Sequence, residues 1–112
     1  MELPTKEVLE TVLEEEIYEH FLDYNDICYS TLSHKFTGHR INIYELMDHM
    51  KYWLLSNSKG CITTYIHQDC VAVHIVERDE SFVSNTEFDA TSEACRWLME
   101  NYKEISCLNS KK

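Results

Sequence analysis

Glycine and proline are almost missing from this chain: two Gly and one Pro in 112 residues. That excludes collagen-like repeats and the Gly- or Pro-rich disordered classes. No apolar run approaches the roughly 18 residues that a membrane-spanning helix needs. Basic residues are scarce, with ten Lys and Arg against twenty Asp and Glu, for a net charge of −10. This weighs against direct binding of nucleic acid or an anionic membrane, because both need cations to neutralise phosphate. The opening residues Met1–Glu7 are acidic and lack the apolar centre of a signal peptide, so a soluble, cytoplasmic protein is expected. Also missing are a Gly-rich phosphate loop, a Gly-x-Ser-x-Gly elbow and a His-Glu-x-x-His helix. No catalytic residue, no cofactor and no metal is therefore assigned.

The length suits a single domain spanning residues 1–112. Hydrophobic residues make up 44% and charged residues 27%, which is ordinary globular usage. Residues 5–24 read as a long acidic amphipathic helix. Val8, Leu9, Val12, Leu13, Ile17, Phe21 and Leu22 form its apolar stripe, and Thr5 is its cap. Residues 25–41 are ambiguous, and 33–40 read as a locally basic loop turning at Gly38. Ile43, Leu46, Met47, Met50, Trp53 and Leu54 mark a second helix over 43–56, opened by an Asn42/Glu45 capping box.

Residues 61–67 and 70–77 are rich in β-branched and apolar types and read as two strands of a hairpin, with a third short strand near 81–84. A last helix covers 91–103, capped by Asp89 or Thr91, with Cys95, Leu98, Met99 and Tyr102 facing the core. Residues 107–112 form a frayed polar tail. The fold class is α+β: a small antiparallel β-hairpin or three-stranded sheet packed with three to four helices, its helix–strand–strand–helix core lying over 43–103. Val71, Val73 and Ile75 share one strand face with Ile62 and Ile66. The opposite face holds Tyr65, Ala72 and Val76, too apolar for bare water, so cover is expected on both faces, from helices or from a second subunit.

Cys61, His67, Cys70 and His74 are zinc-type ligands within fourteen residues. Neither Gln68 nor Asp69 is a Gly, which leaves a loop longer than two residues open; if the turn is two residues, i pairs with 137 − i and all four lie on one face. Strand rise then separates Cys61 from His67 by roughly 20 Å and Cys70 from His74 by roughly 13 Å. One tetrahedral ion cannot reach them all. Five cysteines, Cys28, Cys61, Cys70, Cys95 and Cys107, are an odd count with no Cys-x-x-Cys pair, and read as reduced thiols. His34, His39 and Arg40 beside Gly38 could meet an anion, although a solvated loop accounts for them as well.

The segment Ala90-Thr91-Ser92-Glu93-Ala94-Cys95-Arg96-Trp97-Leu98, closing a helix–strand–strand–helix order, resembles the end of the phage α-β-α sandwich domain family. In that family a Thr caps a helix that continues Glu-Ala, Cys-Arg and an apolar residue. The resemblance spans about half the chain, residues 43–103. It implies a phage or mobile-element origin and brings no catalytic residues.

Acidic charge is concentrated at the start: residues 1–24 hold eight acidic groups against one Lys, a balance of −7. Glu7, Glu10, Glu14, Glu15 and Glu19 are expected to form an acidic helical face, which can steer association with a basic partner. The expected function is a non-enzymatic interaction module. Its most concrete form is a phage-type inhibitor, anti-CRISPR or anti-restriction, that occupies the basic surface of a host nuclease or nucleic-acid-binding protein. The alternatives are a homo-oligomeric structural or regulatory protein, with a homodimer as its simplest assembly, and a small enzyme with its site at a dimer cleft.

Overall fold

A computed structural model describes residues 2–31, 38–58 and 60–110, with side chains to residue 101. The elements run α1 (Lys6–Leu13), β1 (Ile17–Asp23), β2 (Asp26–Thr31), β3 (His39–Asn42), α2 (Ile43–Ser58), β4 (Ile62–Ile66), β5 (Val71–Ile75), a 3-10 turn (Val76–Arg78), β6 (Glu80–Ser84) and α3 (Glu87–Ser110). The class is α+β, with three α-helices and two separate antiparallel sheets in the orders β1-β2-β3 and β4-β5-β6.

The expected helix over 5–24 is less than half that length, eight residues. Thr5 caps it, its hydroxyl accepting from the Val8 N–H at 3.3 Å. The helix then stops because Glu14 turns left-handed, φ 57°, and its N–H closes onto the Glu10 carbonyl. No Gly marks this C-cap, although Gly is the residue that takes the left-handed conformation most cheaply. Beyond the turn, Ile17, Phe21 and Leu22 belong to a strand. Ile17 and Leu22 lie on the same face as Ile27 and Ile41, against the core, whereas Phe21 points the other way and is 58% exposed. Phe21 is thus not a core residue. The periodicity that joined it to α1 is a coincidence of spacing across a helix-to-strand boundary.

The basic loop is also corrected in part. His39 and Arg40 lie on β3, paired with Tyr29 and Cys28 of β2. Residues 32–37, including His34, fall outside the described residues. Helix α2 follows β3 without a break, and Asn42 caps it by accepting from the Tyr44 N–H at 2.9 Å.

The second sheet follows the expected register. Ile62 pairs with Ile75, Thr63 with His74, Thr64 with Val73, Tyr65 with Ala72 and Ile66 with Val71. The His67 N–H donates to the Cys70 carbonyl at 2.9 Å, closing the two-residue Gln68-Asp69 turn. The third strand, β6, pairs with β5, setting Phe82 beside Val73. Helix α3 starts earlier than expected and runs further, through Ser110, so helical structure covers residues 107–110, where a frayed tail was expected. Its cap is neither Asp89 nor Thr91. The Thr86 hydroxyl accepts from the Asp89 N–H at 3.1 Å, and buried Thr91 donates to the Glu87 carbonyl one turn back.

One hydrophobic cluster joins all these elements: Val8 and Leu9 from α1, Ile17, Ile27 and Ile41 from the first sheet, Leu46, Met50 and Leu54 from α2, Val73 and Ile75 from the second sheet, and Ala94, Cys95, Leu98 and Met99 from α3. Trp53 and Trp97 pack at its margin, Trp97 tilted against Phe82 at 5.7 Å. The Cα envelope measures 46 × 42 × 16 Å. With layers about 10 Å apart, a 16 Å thickness holds two of them. Of the two covers expected for the second sheet, from helices or from a second subunit, the described chain therefore supplies one. Helix α3 packs on the face carrying Val73 and Phe82, while Tyr65, Val76 and Val83 on or beside the opposite face stay exposed.

Candidate interaction surface

The five carboxylates expected on one helical face are divided among three settings. Glu7 and Glu10 are on α1, Glu14 and Glu15 in the corner after it, and Glu19 on the outer face of β1, opposite Ser30. Glu10 is a structural group. Its Oε2 accepts from the Ile17 N–H at 3.0 Å, and its carbonyl accepts from the Glu15 N–H at 3.3 Å. It thereby fixes the angle at which the chain leaves α1 and enters β1. The consequence falls on its neighbours: Glu14, Glu15 and Glu16 all project from this corner and are exposed. Glu16 was not among the five carboxylates expected on that face. Three consecutive acids on a helix point in three directions, and only a tight corner gathers them on one protrusion.

The inner face of the first sheet carries a row of rings beside this corner. His20 pairs with Tyr29, and Tyr29 with His39 across the next strand; the Tyr29 and His39 rings stack at 5.2 Å. The His20 Nε2 lies 3.0 Å from the Pro4 carbonyl, tying the segment before α1 to β1. Burial raises the Tyr29 phenol above its ordinary range, and the negative charges of Glu15 and Glu45 push it further the same way. Carboxylates of the corner and of the first turn of α2 thus act on one phenol.

Arg40 is spoken for. Its guanidinium donates to Asp26 at 2.8 Å and to Asp23 at 3.0 Å, which holds it more firmly protonated. An anion would have to displace two carboxylates, so the His34/His39/Arg40 anion reading does not hold for Arg40. Lys51 is paired likewise, with Glu87.

Of the zinc-type residues, Cys61 and His67 are exposed and stand at opposite ends of β4. Among the described residues no group of three or more His, Cys, Asp or Glu is placed to hold a metal ion. Cys28, Cys61, Cys70 and Cys95 are free thiols; Cys107 lies beyond the described side chains. Cys95 is fully buried, its Sγ directed at the Met50 carbonyl at 3.6 Å, and burial pushes its thiol well above the usual range.

One constellation escaped the sequence reading because its members meet only through strand register. His74 and Ser81 are cross-strand partners, with Nδ1 and Oγ 2.7 Å apart, and Asp79 Oδ1 lies 3.7 Å from Nε2. The residue types are those of a hydrolase triad. The geometry differs where it matters. In a working triad a buried carboxylate hydrogen-bonds the imidazole and orients it. Here the Asp79 side chain is 97% exposed and beyond hydrogen-bond reach. The pair reads as a polar contact on an open sheet face.

No helix of the described chain is long and apolar enough to cross a membrane. The fold defines an α+β protein built from two three-stranded meanders bound to a shared set of helices. No protein-family model, curated protein or solved structure matches this chain.

Proposed function

We propose that this protein is a non-enzymatic, acidic protein-interaction module. The observation that carries this reading is the exposed Glu14-Glu15-Glu16 corner, held out by the Glu10–Ile17 hydrogen bond and followed by exposed Glu19 on β1. Carboxylates on a braced protrusion present a negative potential without first ordering a loop, so little entropy is lost when a cationic surface meets them. The most concrete partner is a basic protein whose own ligand is a nucleic acid, such as a host nuclease. The carboxylates would occupy the positions of phosphates there, as an inhibitor of phage type does.

The test is a Glu14→Gln, Glu15→Gln, Glu16→Gln triple variant, which keeps side-chain size and leaves Glu10 untouched. Host proteins retained by the wild type at low salt and released at high salt should be lost by the triple variant at both. Equal retention by the two proteins, with the same salt dependence, would overturn the proposal.

A further inference from the structure

The two sheets have four edge strands, and three of them are protected against pairing with another chain. Strand β1 is broken by a bulge at Tyr18, between the Ile17 and Glu19 pairs, and carries Glu19 and Asp23. Strand β3 is only four residues long and carries Arg40. Strand β6 begins with Glu80, just after Glu77 and Asp79, and leads into Glu87. These are the devices that keep edge strands from recruiting partners.

Strand β4 has none of them. Residues 60–68, Gly-Cys-Ile-Thr-Thr-Tyr-Ile-His-Gln, contain no Asp, Glu, Lys or Arg and no Pro, and β4 pairs with β5 without a bulge. In a chain of net charge −10, the whole hairpin from 60 to 76 holds one charged residue, Asp69. Two copies of so acidic a chain repel each other nearly everywhere, and least along this strand.

The backbone of β4 is also poised for a second copy. The bonds from His67 N–H to the Cys70 carbonyl and from Val76 N–H to the Cys61 carbonyl show that the odd-numbered residues face β5. Antiparallel pairs alternate, so the N–H and C=O groups of Ile62, Thr64 and Ile66 point away from β5, to the open edge. Among the described residues no hydrogen bond reaches them from that side.

We propose that the protein forms a two-fold dimer by antiparallel pairing of β4 with β4 of a second copy, centred on Thr64. Thr64 then faces the partner's Thr64, Ile62 faces the partner's Ile66, and Ile66 faces the partner's Ile62. All three outward residues fall into hydrogen-bonded positions, with two bonds at each pair. This register uses every outward group of the strand; a shift in either direction leaves some unpaired. It also accounts for Ile66, which at 78% exposed is the most solvent-facing aliphatic side chain of the sheet. Tyr65, half exposed on the other face, gains the partner's Thr63 as a cross-strand neighbour. The two three-stranded sheets become one six-stranded sheet. The proposal is independent of the acidic corner, which lies on the α1–β1 side of the molecule.

Sedimentation at about 0.1 mM chain, a hundredfold above the Kd of a micromolar complex, should show twice the chain mass. Thr64→Pro removes one outward N–H, a change tolerated on a solvent-facing edge, and should return the mass to that of a single chain. Thr64→Lys sets two ammonium groups face to face across the two-fold and should do the same. The register has its own check in a Cys61→Ser, Cys70→Ser background. Thr64→Cys should form an interchain disulfide under mild oxidation, because its Cα lies about 5.5 Å from its own copy. Ile62→Cys, which faces Ile66, should not. A wild-type protein of single-chain mass at this concentration overturns the proposal. So does a dimer that survives both Thr64→Pro and Thr64→Lys. If Thr64→Pro loses its native circular dichroism, Thr64→Lys and the disulfide pair decide the matter.

Discussion

Glu10 and Glu14 are one helical turn apart, of the same chemistry, and opposite in role. Glu10 holds the Ile17 N–H in a partly buried bond, so Glu10→Ala should cost about 1–3 kcal/mol, the range for a charged acceptor lost from a backbone donor. Glu14 occupies a left-handed position. There Gly avoids the strain a side chain brings but is freer in the unfolded chain, so Glu14→Gly should hold stability or raise it by up to about 1 kcal/mol. Urea midpoints of the two variants should move in opposite directions, or only the first should move. A similar contrast separates two large apolar residues. Leu46→Ala, at a fully buried site, should lose about 3–5 kcal/mol. Phe21→Ala, on the outer sheet face, should change stability by only about 0.5 kcal/mol. Tyr29 adds a pH dependence. Its phenol titrates higher folded than unfolded, so the folded state keeps a proton that the unfolded state has released. Stability from this group is constant below the unfolded value near 10 and falls as pH rises above it. Denaturant midpoints measured above pH 10 should fall less steeply for Tyr29→Phe than for the wild type.

At the scale of elements, legibility follows the length and contrast of each pattern. The register of the β4–β5 hairpin could be read, because two β-rich runs flank a two-residue turn and one pairing rule then orders the side chains, although residues 76 and 77, expected in the strand, form a 3-10 turn. Helix α2 was equally plain, with five buried residues at helical spacing. Residues 14–24 were misread, and 25–31 left open, because no Gly or Pro marks the end of α1, and Ile17, Phe21 and Leu22 happen to continue its spacing. The signal available was compositional: Ile17, Tyr18, Phe21, Ile27, Tyr29 and Thr31 are strand-favouring types, and Asn25-Asp26 is a turn pair. Sites suffered for the same reason. The acidic corner depends on where α1 stops, and the His74–Ser81 contact depends on a strand, β6, only loosely bounded from sequence. The burial of each element also sorts its thiols. With an aromatic disulfide reagent, Cys61 beside β4 should react at once. Cys28 within β2 and Cys95 within α3 should react only on unfolding. Mass spectrometry of the labelled protein before and after adding urea distinguishes them.

As a whole the molecule is a thin slab, and its Cα radius of gyration of 14.8 Å exceeds the about 13 Å of a rounder chain of this length. Both sheets are meanders of consecutive strands, so every strand pair closes a short loop. The element that binds the parts follows all the others in the described chain. Helix α3 touches α1, α2, β5 and β6, and supplies Ala94, Cys95, Leu98 and Met99 to the shared core. On the ribosome, therefore, the first sheet can pair its strands and pack against α1 and α2 early, but the second sheet cannot bury its inner face until α3 has left the exit tunnel. A nascent chain arrested at residue 90 should be open to proteolysis across its second sheet, which then lacks the helix that covers it.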